Sequence, residues 1–159
     1  MMSPVKRHEL ITLRLRRQLD AQLNATHPGY VAHSGPEIEA PTIQRMRRPD
    51  LVVLPESVLE EEDDYVNPVD VILVAEVVCR SNPDNDYDRK MADYPAMGIP
   101  VYLLIDPRKS TLSVHSDPGP TPEGVRYRAR HDHGFGDTVT VGPWTVDSGE
   151  FLPYADRNR

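Results

Sequence analysis

The sequence predicts an α/β domain, and three observations carry that prediction. Ile11, Leu15, Leu19 and Leu23 recur every four residues within residues 6–24, the stripe of an amphipathic helix. Residues 69–78, VDVILVAEVV, form a nearly continuous β-branched apolar run, as in a central strand covered on both faces. The elements then follow the order helix, strand, strand, helix, strand, with an antiparallel meander after them.

The first helix has Leu10 and Leu13 beside its stripe, and Asn24 with Pro28-Gly29 stops it. Residues 30–33 read as a short strand. The proline-bearing stretch SGPEIEAPTIQRMRR, residues 34–48, reads as a loop. Residues 49–54 form a strand opened by Pro49 and closed by Pro55, and the acidic stretch 56–67 is a solvated surface segment. Asn82-Pro83-Asp84 supplies a capping residue and a first-turn proline for a second helix, which ends near Gly98 and which Pro95 ends early or kinks. Residues 100–105 form another buried strand before Asp106-Pro107. Residues 111–116, 125–130 and 138–141 are meander strands, and 143–159 is a tail outside a core spanning 6–142.

A chain of 159 residues suits a single domain, here 1–159. Mean hydropathy is -0.53, and no apolar run reaches the ~20 residues that cross a bilayer. With a lone cysteine, Cys79, neither an internal disulfide nor a cysteine-based zinc cage is available, and a reducing cytoplasm is the expected compartment. The net charge of -7 lowers the expectation of non-specific nucleic-acid binding, but the charge is patchy. Acid gathers at Glu60–Asp64, and base at Arg45, Arg47 and Arg48 and again at Arg126, Arg128 and Arg130.

Glu76 is the anomaly, an acid inside the most apolar strand, sharing a face with Val74 and Val78. Either a partner neutralises it or it opens onto a site at the strand's carboxyl end. Asp50 begins a strand that plausibly pairs with the Glu76 strand. Two carboxylates converging from adjacent strands suit Mg²⁺, which keeps several waters and needs few protein ligands. Lys90, on the following helix, could stabilise charge developing on a phosphate, and Asp86 lies one helical turn before it. Taken singly, Asp50 could cap a turn and Lys90 could form a surface ion pair with Asp86.

Pro49-Asp50 ahead of an apolar strand, Glu76-Val77-Val78, NPDNDYDRKMADY, Gly98-Ile99-Pro100 and YLLIDP together resemble the Uma-two family of restriction-endonuclease-like proteins. The resemblance covers roughly residues 6–142 and is specific between Pro49 and Pro107. It implies membership of the PD-(D/E)XK nuclease superfamily, with a mixed β-sheet flanked by helices. Asp50 and Glu76 would be metal ligands for Mg²⁺ or Mn²⁺. Lys90 would be the catalytic lysine, displaced onto the helix from the strand position that Val78 holds. Asp86 and Tyr94 match the acid before that lysine and the tyrosine after it. Cys79-Arg80 replaces the usual Ser-Pro, and Tyr102-Leu103 the usual Tyr-Trp.

The expected function is metal-dependent hydrolysis of DNA, with Arg45, Arg47, Arg48 and the first helix contacting the substrate and a homodimer to cut both strands. A silent nucleic-acid-binding module and a protein-interaction domain using residues 60–64 are the alternatives. Cys79, Met91 and the body of Tyr94 read as core. His131 and His133 read as a solvated turn, His8 as a surface histidine at a position where the family often has one, and Arg126/Arg128/Arg130 as one face of an edge strand.

Overall fold

The computed structural model describes residues 6–81, 87 and 89–155. Helix α1 spans Lys6–Thr26 and buries His8, Ile11, Leu15, Leu19 and Leu23, the face its period of four dictates. Strands β1 (Tyr30–His33), β2 (Ile38–Ala40), β3 (Arg45–Arg47), β4 (Leu51–Pro55) and β5 (Leu73–Val77) follow. Helix α2 (Lys90–Ala96) leads into β6 (Val101–Asp106), β7 (Thr111–Thr121), β8 (Gly124–Gly134), β9 (Thr138–Val141) and β10 (Trp144–Asp147).

The main sheet has the order β1-β4-β5-β6-β7-β8. It is mixed, because β5 and β6 run parallel while their neighbours pair antiparallel. A parallel pair needs a crossover, and α2 lies within that crossover. Alternation along each strand divides the core in two. Leu51, Val53, Leu73, Ala75 and Val77 pack toward α1, whereas Val52, Leu54, Val74 and Val78 pack with Tyr94 and Tyr102 on the α2 face. Glu76, between Ala75 and Val77, falls on the α2 face.

Four expectations need correction. Residues 34–48 are not a loop throughout. Strands β2 and β3 form a hairpin, Ile38 opposite Arg47, because Pro36 and Pro41 stand just outside the paired residues and Pro41 opens the turn. Strands β7 and β8 are longer than expected. Pro118 and Pro120 are accommodated because β6 pairs β7 only as far as Ser116, so beyond it β7 has one edge without a strand and missing N–H groups cost little. Residues 69–78 are not one strand: Pro68–Asp70 form a 3-10 turn with Val69 79% exposed, and β5 begins at Leu73. Helix α2 stops one residue after Pro95, close to the expected end near Gly98. Its expected cap, Asn82-Pro83-Asp84, lies outside the described residues.

The fourth correction concerns the supposed tail. Strand β10 pairs with β9, and Trp144, Val146 and Phe151 join the α1-side core. The amide of Gln22 donates to Thr145 O at 2.7 Å and accepts from Thr145 N at 3.0 Å. Gln18 repeats the pattern on Asp147 at 3.0 and 2.7 Å. Two glutamine amides thereby supply the hydrogen bonds that a neighbouring strand would give β10. No described helix is long and apolar enough to cross a membrane.

Candidate active site

The antiparallel register sets Leu51 opposite Ala75, so the next step along the ladder brings Asp50 beside Glu76. The pairing is reciprocal. Asp50 N–H donates to Glu76 Oε1 at 3.0 Å, and Val77 N–H donates to Asp50 Oδ2 at 2.8 Å. Each acid is held by the other strand's backbone at the point where the two strands begin to diverge.

Glu76 is 1% exposed. An unpaired carboxylate there would cost several kcal/mol, on the order of the effective penalty for a buried ion. Its oxygens are therefore fully engaged: Tyr94 Oη donates to Oε1 at 3.1 Å, and Lys90 Nζ forms an ion pair with Oε2. Lys90 and Tyr94 lie four residues apart on α2, so one helical face delivers both to the same carboxylate.

His8 is a fifth participant and a correction, because it is buried, not on the surface. Its Nε2 lies 2.9 Å from Val77 O and 3.4 Å from Asp50 Oδ2. Burial alone would lower its pKa, but the adjacent Asp50 carboxylate and the Cys79 side chain outweigh that and raise it to about 10. Because a carbonyl only accepts, Nε2 is the ring nitrogen that donates to Val77 O. The signal was present in the helical register, since His8 precedes Ile11 by three and Leu15 by seven on the buried stripe.

The segment before α2 is tied down separately. Asp106, 1% exposed at the end of β6, accepts from Tyr87 Oη at 2.7 Å and pairs with the Arg108 guanidinium, Nη2 to Oδ2, at 2.7 Å. Burial would raise the Asp106 carboxyl, yet Arg108 and Tyr87 hold it below its usual value. Burial and the hydrogen bond to Asp106 push the Tyr87 phenol up to about 12. Tyr87 stands three residues before Lys90, so this clamp helps fix where the lysine enters.

A cleft of about 390 Å³ opens onto the site and is lined by His8, Thr12, Arg16, Ser34, Arg48 and Asp50. Asp50 is the cluster's carboxylate in that lining; the Val77 carbonyl, which accepts from His8, and the Glu76 carboxylate, bonded to the Asp50 amide, adjoin it without lining the cleft. An all-oxygen set of two carboxylates and a carbonyl fits a hard divalent cation that retains water. The described residues contain no group of three or more His, Cys, Asp or Glu placed to hold a metal, so no closed cage of side chains is available.

The remaining predicted residues are placed as follows. Asp86 lies outside the described residues, and its pairing with Lys90 with it. Arg45 and Arg47 are on β3, where both engage Asp93, Arg45 Nε at 2.8 Å and Arg47 through Nη2. Arg48 faces Glu37 at 3.5 Å and lines the cleft. On β8, Arg128 and Arg130 pair with Asp117 and Asp132 at 3.0 and 2.8 Å, and His133 stands 3.8 Å from Asp137.

With this geometry in view, the comparisons with known proteins decide the family. The Uma2 family, described as "Putative restriction endonuclease", matches residues 1–145. The chain belongs to the Uma2 family. Its fold is also similar to a solved structure titled a "putative nuclease belonging to DUF820" from Anabaena variabilis. That likeness has a TM-score of 0.72 at 12% identity and covers 95% of this chain and 83% of the other, so it speaks to the fold. No curated protein matches the sequence. The Uma2 match includes every residue of the Asp50–Glu76–Lys90 cluster and α1 with His8. In this Uma2 protein the Cys79-Arg80 turn is bound to the C-terminal segment, Arg80 Nη2 donating to Ala155 O at 2.6 Å and Tyr154 Oη to Val78 O at 2.7 Å.

Proposed function

We propose that the protein is a metal-dependent nuclease that hydrolyses DNA phosphodiester bonds at the Asp50–Glu76–Lys90 cluster. The observation that carries this reading is a carboxylate buried in an apolar strand and matched by an ammonium from the next helix, beside a second carboxylate that borders an open cleft. Asp50 and Glu76 would hold Mg²⁺ or Mn²⁺, which supplies a polarised phosphoryl oxygen and a bound water of lowered pKa. The chain's own groups do the rest. Lys90 carries the positive charge opposed to the pentavalent phosphate's developing negative charge. Tyr94 and the Asp50 amide orient Glu76, and His8 holds Asp50 against the Val77 carbonyl. Arg16 and Arg48 line the cleft where a phosphate backbone would approach. The family membership and the nuclease title of the structural neighbour favour the same chemistry.

The test is plasmid nicking with Mn²⁺ or Mg²⁺. Glu76→Gln keeps the volume of the buried side chain, and Lys90→Gln removes the ammonium. Each is expected to lose on the order of 10²–10³ of the nicking rate, the usual loss when one charge-stabilising group is deleted. Circular dichroism of both variants, and of the double variant that removes both charges together, checks that the fold persists. Nicking at the wild-type rate by folded single variants sinks the assignment.

A further inference from the structure

A second cavity, of about 470 Å³, lies beyond the cleft described above and is lined by Arg45, Met46, Arg47, Arg89 and Asp93, among others. The geometry points to this cavity as a subsite for the phosphate backbone of a nucleic-acid strand, a few nucleotides from the bond held at Lys90. The inference rests on the nuclease reading and adds to it a second point of grip on the substrate.

Charge comes first. Among the described residues of the lining, three guanidiniums and one carboxylate sum to a formal charge of +2 (3 − 1), in a chain whose total is -7. A field of that sign in an acidic protein selects anions locally.

Two of the guanidiniums, those of Arg45 and Arg47, are also fixed. Asp93 is 4% exposed and takes Arg45 Nε on Oδ1 at 2.8 Å and Arg47 on Oδ2. Arg47 Nη1 further donates to Met46 O at 2.9 Å. Arginine forks pinned in this way lose little more freedom when an anion arrives. Within the Arg47–Asp93 pair, Arg47 Nε and Asp93 Oδ2 are both buried and make no hydrogen bond to the described residues.

Apolar surface adjoins the charge. Met46 is 45% exposed and Ile43, on the turn before it, is 37% exposed. Phosphates on guanidiniums beside an apolar rim for sugar or base is the pattern of a strand, more than of a free anion.

Connectivity then places the cavity relative to the cluster. Arg89 adjoins Lys90, and Arg47 precedes Asp50 by three residues, a separation of at most about 11 Å along the backbone. Successive phosphates of one strand repeat about every 3.4 Å along a duplex axis. A strand gripped here and cut at Lys90 is therefore engaged about one to three nucleotides away.

The experiment is fluorescence anisotropy with a short fluorescein-labelled DNA strand and its duplex in EDTA, so that no cleavage occurs, across a salt series. Arg89→Gln is the chief variant because Arg89 is exposed and its loss leaves the Asp93 pairs intact. It is expected to weaken binding several-fold and to reduce the slope of log K against log salt by about 0.7 to 0.9, one phosphate contact. Arg47→Gln with Asp93→Asn removes one charge of each sign and is expected to weaken binding at unchanged net charge. Arg126→Gln removes the same charge as Arg89→Gln but from β8, and is expected to bind as wild type.

Equal weakening by Arg89→Gln and Arg126→Gln, or wild-type binding and slope in Arg89→Gln, overturns the subsite while leaving the nuclease reading intact. No binding by the wild type removes the subsite, and the nicking test then decides the nuclease reading by itself. An intact Arg89 effect in a protein that fails the nicking test sinks catalysis alone.

Discussion

Glu76 is tolerated in its strand because donors reach it, among the described residues a backbone amide, a phenol and an ammonium. Removing the ammonium alone strands a buried charge, typically a loss of about 3–5 kcal/mol, whereas neutralising both members together costs far less. His115 shows the opposite solution to burial. It is 3% exposed, its Nε2 lies 2.9 Å from Ser113 Oγ, and it stacks near Tyr102 and Tyr127. Burial, helped by the nearby Arg130 charge, lowers its pKa from 6.5 to about 4. With the folded value depressed, the unfolded chain binds the extra proton between those limits. The His115 contribution is whole above pH 6.5 and is lost as pH falls toward 4, up to about 3 kcal/mol in all. Asp106, whose carboxyl is also depressed, releases its stabilisation only below its own ordinary value near 3.8, so the two windows separate. His115→Gln is expected to flatten the fall in stability between pH 6.5 and 4 in urea melts. An unchanged slope in that window would show that His115 is not the group titrating.

At the scale of elements, α1 links the two ends of the chain. One face enters the core and brings His8 to the site, while Gln18 and Gln22 bind the edge of β10. Trp144 Nε1 donates to Thr26 Oγ1 at 2.9 Å and closes the far end of the helix. Gln18→Ala with Gln22→Ala removes four hydrogen bonds to β10. At the net value of a partly exposed bond, the double variant is expected to lose about 2 kcal/mol. Hydrogen exchange should rise first in β9 and β10, with β5 still protected. Equal loss of protection in β5 would mean that the hairpin and the sheet unfold as one unit.

At the scale of the molecule, the proposed metal and the fold are coupled. Any ligand that binds the native state alone stabilises it by RT ln(1 + [L]/Kd), about 2.7 kcal/mol at a hundredfold excess over Kd. Mn²⁺ is therefore expected to raise the Tm of the wild type, EDTA to return it, and Glu76→Gln to abolish the shift. A Tm that Mn²⁺ leaves unmoved would remove Asp50 and Glu76 as its ligands. Net charge acts at the same scale. At -7 the protein repels nucleic acid at a distance, so binding depends on the local positive cavities and should fall steeply with salt.

Local patterning was sufficient for the α/β class, for the α1 stripe and for the β4, β5 and β6 strands, because the burial of those elements is written as a period of four or as an apolar run. Glu76 was legible for the same reason: a lone charge in a valine-rich strand demands a partner. What the linear pattern could not decide was pairing between distant segments. The β2–β3 hairpin is held partly by an ion pair from Arg45 to Asp93, nearly fifty residues on. Strand β10 takes its edge from glutamine side chains more than a hundred residues earlier, and polar residues making such bonds look solvated when read in order. The burial of His8 follows from the α1 register, but its partners, Val77 and Asp50, met it only when α1 docked. Composition and periodicity determined which residues leave water; the tertiary structure alone determined which polar groups meet once they have left it.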